Sequence, residues 1–350
     1  MRGKIICFFM CVMRNHFDIF LYFCQNKSHF MADNTVVSVC TLAYNHNPFI
    51  RECLDGILMQ KTNFAFELII HDDASTDGTA DIIREYEAKY PNIITPIYQT
   101  ENQYSKGTRI MHQFVYPKAK GKYIAICEGD DFWTDPYKLQ KQVDILESNS
   151  EYGMCYTPAN ILHLDKSLTA EFLREKDPTI DDLMIDNPVC TLTTIFRKEL
   201  LLKYIEEVKS EAHAWQMGDY PLWIWFAIHS KIKYLPCITA TYRYLEGSVS
   251  HSTNSVKKML FSLNTIDIRE YFRERYNVTP PRKRYLKKIA HIYFENRVTA
   301  IKAERWDIIK KELKVLMKLK YFGKYLKLAL IYVFRNCNTI RKHLIKRFCN

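Results

Sequence analysis

From Val36 onward, short apolar runs alternate with stretches of helical periodicity, and two of the runs end abruptly in acidic loops. That alternation is the pattern of a mainly parallel sheet covered by helices, an α/β arrangement. VVSVCTLAY (36–44) reads as a buried strand. Asn47 and Pro48 then read as the cap and first residue of a helix whose Ile50, Cys53, Leu54, Ile57 and Leu58 share a face. FELII (66–70) is a second strand, HDDASTDG (71–78) its loop, and a helix is expected from about Thr79 to Tyr90, stopped by Pro91. NIITPIYQ (92–99) is a third strand. KYIAIC (122–127) is a fourth, running straight into Glu128-Gly129-Asp130-Asp131, with Asp135-Pro136 opening the next helix. Beyond Gly153 the pattern is less regular. Strands are expected near Met154–Leu164, Cys190–Arg197 and Lys231–Tyr242, and helices near Lys198–Val208 and Tyr220–His229.

Open α/β sheets bind ligands beyond the carboxyl ends of their strands, which is where both acidic loops fall. In the first, Asp77 is suited to capping the following helix, whereas Asp72 and Asp73 have no such duty and can accept hydrogen bonds from a base N–H or a ribose hydroxyl. The second loop packs three carboxylates into four residues. Their repulsion is relieved either by solvent, in a plain acidic turn, or by a divalent cation. Hard oxygen ligands suit Mg²⁺ or Mn²⁺, which can bridge a diphosphate.

Taken in order, VSVCTLAYN (37–45), FELIIHDDASTDGT (66–79), AKGKYIAICEGDDFWTDPYKLQKQV (119–143), MGDYPLW (217–223) and YRYLEGSVS (242–250) resemble glycosyltransferase family 2 over about Thr35–Ser250. The resemblance implies the GT-A nucleotide-sugar-binding fold and inverting transfer from a nucleoside diphosphate sugar, a UDP-sugar. It places Thr41 and Tyr44 beside the base, Asp73 in hydrogen bonding to it and Asp130 near the ribose. Asp131 matches the metal-binding carboxylate of the DxD motif, with Glu128 standing at the first position where the family has Asp. Lys106 and Arg243 fall where basic residues meet the diphosphate, and Ser248, Ser250 and His251 lie in the loop that closes over it. Asp219 matches the catalytic base; locally it also suits the cap of the helix that Tyr220 begins. Trp133 and Trp215 are candidate sugar-stacking platforms, while Trp223 and Trp225 fit a core better. Nucleotidyl transfer on a similar sheet would want a glycine-rich, basic phosphate loop after the first strand, and Thr41–Pro48 contains neither Gly nor Lys. A non-catalytic sugar-nucleotide or membrane-binding protein is the third reading.

Charge is distributed unevenly. Residues 256–350 carry 25 Lys and Arg against 7 Asp and Glu, so the preceding residues are net acidic although the whole chain is +11. The helices expected from 255 to 350 are cationic and amphipathic, and the apolar stretch Tyr325–Phe334 is too short to span a bilayer. We expect three parts: 1–30 a leader or disordered extension preceding a start at Met31, 31–254 the catalytic domain, and 255–350 the basic region. That region would rest on an anionic membrane surface, with a glycan or lipid-linked acceptor nearby. No nucleic-acid-binding motif accompanies the basic residues. Eleven cysteines without a CxxC pair argue against a disulfide framework and for a cytoplasmic protein on the inner face of the membrane.

Overall fold

The computed structural model describes residues 35–208, 215–247 and 251–319. The expected leader (1–30), Ser248, Ser250 and the apolar stretch Tyr325–Phe334 lie outside the described residues. In chain order the elements are β1 (Thr35–Ala43), α1 (Ile50–Leu58), β2 (Ala65–Asp72), α2 (Thr79–Lys89), β3 (Ile94–Tyr98), β4 (Tyr123–Ile126), β5 (Phe132–Trp133), α3 (Lys138–Ser148), β6 (Tyr152–Tyr156), β7 (Ala159–Leu162) and β8 (Leu168–Glu171). There follow α4 (Ile180–Ile185), β9 (Ile195–Arg197), α5 (Lys198–Glu207), α6 (Asp219–His229), β10 (Lys231–Tyr234), β11 (Ala240–Arg243), α7 (Ser255–Arg275), α8 (Arg282–Lys302) and α9 (Trp306–Lys318). Short 3-10 and π turns lie between β3 and β4.

The chain forms two units. The first runs to Thr179 and takes in Pro188–Ala212 and Trp225–Tyr244; it contains every described strand. Its main sheet has the order β10-β6-β9-β4-β1-β2-β3, all neighbours parallel except β9, which runs antiparallel to β4 and β6. Val37, Val39, Ala43, Leu68 and Ile70 face Ile50, Cys53, Leu54, Ile57, Ile82 and Ile83 of α1 and α2 in one apolar core. Each Val, Leu or Ile among them, removed from water, contributes about 1.5–3 kcal/mol.

Four strands, β5-β11-β7-β8, make a second, smaller sheet. The sequence pattern suggests one strand over Met154–Leu164 and another over Lys231–Tyr242; each is in fact two strands in different sheets. Pro158 separates β6 from β7, and Pro236 separates β10 from β11. A proline withholds an N–H from the ladder, so both crossings occur where pairing has to stop. Cys190–Arg197 likewise shortens to a 3-10 turn and a three-residue strand, because the hydroxyls of Thr193 and Thr194 bond locally to the Cys190 and Thr191 carbonyls.

The second unit comprises Ile180–Asn187, His213–Ile224 and Leu245 onward, so it begins before the boundary expected at 255 and includes two internal segments. Within it, Arg269 Nε donates to the Met184 carbonyl at 3.0 Å and its guanidinium covers the Tyr220 ring. Tyr220 Oη donates to the Leu183 carbonyl at 2.5 Å. Arg297 of α8 forms a buried, two-pronged ion pair with Glu312 of α9.

Candidate active site

Of the residues singled out in the sequence, Thr41, Tyr44, Asp73, Glu128, Asp130 and Asp131 collect at the carboxyl ends of β1, β2 and β4. Two backbone hydrogen bonds carry the ladder past the strands: Asp73 N–H donates to the Ala43 carbonyl, and Gly129 N–H donates to the Leu42 carbonyl, each at 2.9 Å. The two acidic loops therefore flank the end of β1 from either side.

In the first loop, Asp77 is tied to structure: Oδ1 accepts the Thr79 N–H and hydroxyl, and Oδ2 accepts the Asn47 N–H. Asn47 does not cap α1, which begins three residues later at Ile50 without a side-chain cap. Asp72 and Asp73 are buried. Asp72 Oδ2 accepts the Ser75 N–H at 3.2 Å while its Oδ1 has no hydrogen-bond partner. Thr41 Oγ1, on β1, is likewise buried and unpartnered. Unsatisfied buried acceptors are costly, and their presence at a strand end is a mark of a ligand-receiving site. Tyr44 is exposed. Lys106 sits on the loop after β3, exposed and ion-paired with Glu101.

In the second loop, Asp131 is only 2% exposed. Burial, then the neighbouring Asp130 and Glu128 carboxylates, push its carboxyl well above the usual range, opposed by one hydrogen bond from the Arg243 N–H at 2.7 Å. Asp130 is less buried, with its Oδ2 4.0 Å from His46 Nε2. Arg243, at the end of β11, lies between the Phe49 and Phe132 rings, donates from Nη1 to the Asp130 carbonyl at 2.6 Å and pairs with Glu52. Its backbone and side-chain donors together tie the acidic loop to the end of β11. Asp219, half-exposed, opens α6 within the second unit, where its Oδ1 accepts the Tyr220 N–H at 2.7 Å.

Sequence reasoning missed His46, Glu52 and the two phenylalanines around Arg243. His46 lies two residues after Tyr44, just past the first motif, and was legible in principle. Glu52 and Phe49 were not, because a helix's first turn gives no sign of which distant arginine it meets. The stacking platforms expected at Trp133 and Trp215 are corrected: both rings are buried. Trp133 donates from Nε1 to the Leu192 carbonyl at 2.8 Å, and Trp215 packs with Tyr271 and Phe272. Below Trp133 lies Lys138, fully buried, its Nζ 4.3 Å from the ring centroid and 2.7 Å from Gln142 Oε1; burial pushes its ammonium down to about 7.

Among the described residues no three His, Cys, Asp or Glu side chains form a cage for a metal ion. A cage is not what Mg²⁺ or Mn²⁺ requires at a diphosphate, where one or two carboxylates and the phosphates themselves supply the oxygens. Asp131, crowded by two further carboxylates, has the chemistry of such a partial donor set.

Residues 38–171 match the family model described as Glycosyl transferase family 2. An uncharacterized protein of Mycobacterium tuberculosis, Rv1520, is 36% identical over 219 residues, 62% of this chain and 61% of that relative. The match thus spans about three fifths of the relative's length. WfgD of Escherichia coli, a UDP-Glc:alpha-D-GlcNAc-diphosphoundecaprenol beta-1,3-glucosyltransferase, is 25% identical over 65% of this chain and 83% of its own. Among solved structures, the mannosyltransferase PcManGT from Pyrobaculum calidifontis, in complex with GDP-Man and Mn²⁺, superposes with a TM-score of 0.51 at 16% identity, covering 96% of this chain and 95% of its own. That last likeness is one of fold.

Proposed function

On the match of residues 38–171 to the Glycosyl transferase family 2 model and the likeness of fold to PcManGT, we propose that this chain is a GT-A glycosyltransferase of that family and that it moves a sugar, with inversion, from a UDP-sugar to a hydroxyl of a surface-polysaccharide or lipid-linked glycan. The donor lies across the ends of β1, β2 and β4, its base by Thr41, Tyr44 and Asp73 and its ribose by Asp130. Asp131, with Glu128 beside it, holds the Mg²⁺ or Mn²⁺. When bound, that ion neutralises charge growing on the departing diphosphate. Arg243 and Lys106 add cationic donors toward the phosphates. Asp219 takes the proton of the acceptor hydroxyl as its oxygen attacks the anomeric carbon opposite the leaving group, so one carboxylate suffices and no covalent enzyme intermediate forms.

The observation that carries this reading is the burial of Asp131 against two other carboxylates at the end of β1, an arrangement unfavourable by itself and relieved by a cation. The acceptor class is supported by WfgD, whose name gives a diphosphoundecaprenol acceptor. Among the described residues no helix is long and apolar enough to cross a membrane. The excess of Lys and Arg beyond residue 255 supports peripheral attachment of the basic region to an anionic inner surface.

The test is turnover. Full-length chain with Mn²⁺ and a panel of UDP- and GDP-sugars releases nucleoside diphosphate, and both Asp131→Ala and Asp219→Asn lower that rate by roughly 100-fold or more while leaving the fold intact. Release of pyrophosphate instead, or full activity in both variants, would end the assignment.

A further inference from the structure

One carboxylate organises the loop after β3. The two oxygens of Asp73 accept the backbone N–H groups of Gln103 at 2.7 Å and Tyr104 at 3.0 Å. Asn102 Nδ2 donates to the Asp73 carbonyl at 3.2 Å, and Asn102 Oδ1 accepts the Ser105 N–H at 2.8 Å. On its other side, the Asp73 N–H donates to the carbonyl of Ala43, the residue before Tyr44. Asn45, left-handed at φ 55°, fastens the Tyr44 segment to the same region: its N–H donates to Ser75 Oγ and its Oδ1 accepts the Thr76 N–H, each at 2.9 Å. Two tyrosines thus stand on backbone clamped to a single buried aspartate, one from each side.

Their backbones are fixed, yet their rings are in water. Tyr44 is 46% exposed and Tyr104 60%. Among the described residues neither ring stacks on another aromatic side chain. Two large flat surfaces exposed to solvent on backbone fastened to one hydrogen-bonding carboxylate residue suit a flat polar ligand. Asp73 still has capacity for one: a carboxylate offers about four lone-pair sites, and the loop's N–H groups take two.

We propose that Tyr104 is a donor-binding residue whose ring covers the face of the nucleobase opposite Tyr44, on a loop that Asp73 holds in place. This rests on the nucleotide-donor reading above and adds a contact from the loop after β3. Because stacking accepts any planar base, Tyr104 sets affinity for the nucleoside, and the edge facing Asp73 sets which base is chosen.

The experiment is titration of the full chain, with Mn²⁺, by UDP, by GDP and by inorganic pyrophosphate. Tyr104→Ala is expected to weaken whichever nucleotide the native chain binds by roughly 5- to 100-fold, Tyr104→Phe to bind it as the native chain does, and pyrophosphate to bind all three alike. Nucleotide affinity unchanged in Tyr104→Ala would overturn the proposal, as would a matching loss for pyrophosphate, which has no base. A native chain that binds neither nucleotide would remove the donor reading and this inference with it, whereas native binding with an indifferent Tyr104→Ala removes this inference alone.

Discussion

Gly129 has room for a hydrogen atom and little else. A Cβ there would lie 2.8 Å from His46 Nδ1 and 2.9 Å from the Leu42 carbonyl oxygen, and one of those is backbone that cannot give way. Gly129→Ala is expected to push the acidic loop off the end of β1, lowering the turnover rate at least tenfold and stability by about 1–3 kcal/mol; near-native turnover would show that the loop has slack. Lys138 makes a different kind of claim. Its ordinary value of 10.5 falls to about 7 in the folded chain, through burial. Between those two values the unfolded chain holds more protons than the folded one, so the Lys138 contribution makes stability rise with pH from about 7 to 10.5, and below pH 7 the penalty is constant. The groups around it, Cys127, Cys155, Asp135 and Cys237, favour the charged form but do not outweigh the loss of water. Lys138→Met should flatten the dependence of the denaturation midpoint on pH between 7 and 10; an unchanged slope would refute a neutralised lysine.

Elements in this protein are joined by contacts that no local pattern announces. The antiparallel β9 sits between β6 and β4, so the main sheet is mixed at that point although every other pairing is parallel. In the second unit, α8 and α9 share the Arg297–Glu312 pair, with Glu312 2% exposed on a helix otherwise rich in surface lysine. Removing one partner strands the other charge in the interior. Arg297→Met alone is therefore expected to cost about 3–5 kcal/mol, and the double variant Arg297→Met/Glu312→Leu to recover most of it, read by chemical denaturation. Additive losses would mean that the two charges are already solvated.

For the molecule as a whole, the excess of basic residues beyond 255 is the feature that bears on where the protein works. Charge attraction to an anionic surface fades with ionic strength, because the screening length falls from about 10 Å at 0.1 M to about 3 Å at 1 M. The full chain should float with vesicles containing acidic lipid at low salt and be released progressively as salt rises. Reversing exposed Lys310 and Lys314 on α9 to Glu should weaken that binding without altering nucleotide release. Equal flotation on neutral and acidic vesicles would separate the basic region from membrane attachment.

Local chemistry was written in the chain. The apolar runs ending in His71-Asp72-Asp73 and Glu128-Gly129-Asp130-Asp131 announced strands with acidic carboxyl ends, because alternating burial and abrupt polarity are properties of neighbouring residues. Asp77 and Thr79, two positions apart, were readable as a helix start for the same reason. What folding alone decided is which segments meet. Pro158 and Pro236 mark interruptions, but only pairing in space sends β7 and β11 to a second sheet. The same pairing carries Arg243 to the acidic loop 112 residues earlier. Periodicity tells a residue that it is buried and on which face; the identity of its neighbour depends on the closing of long loops and the packing of the entire unit, which no window of sequence contains.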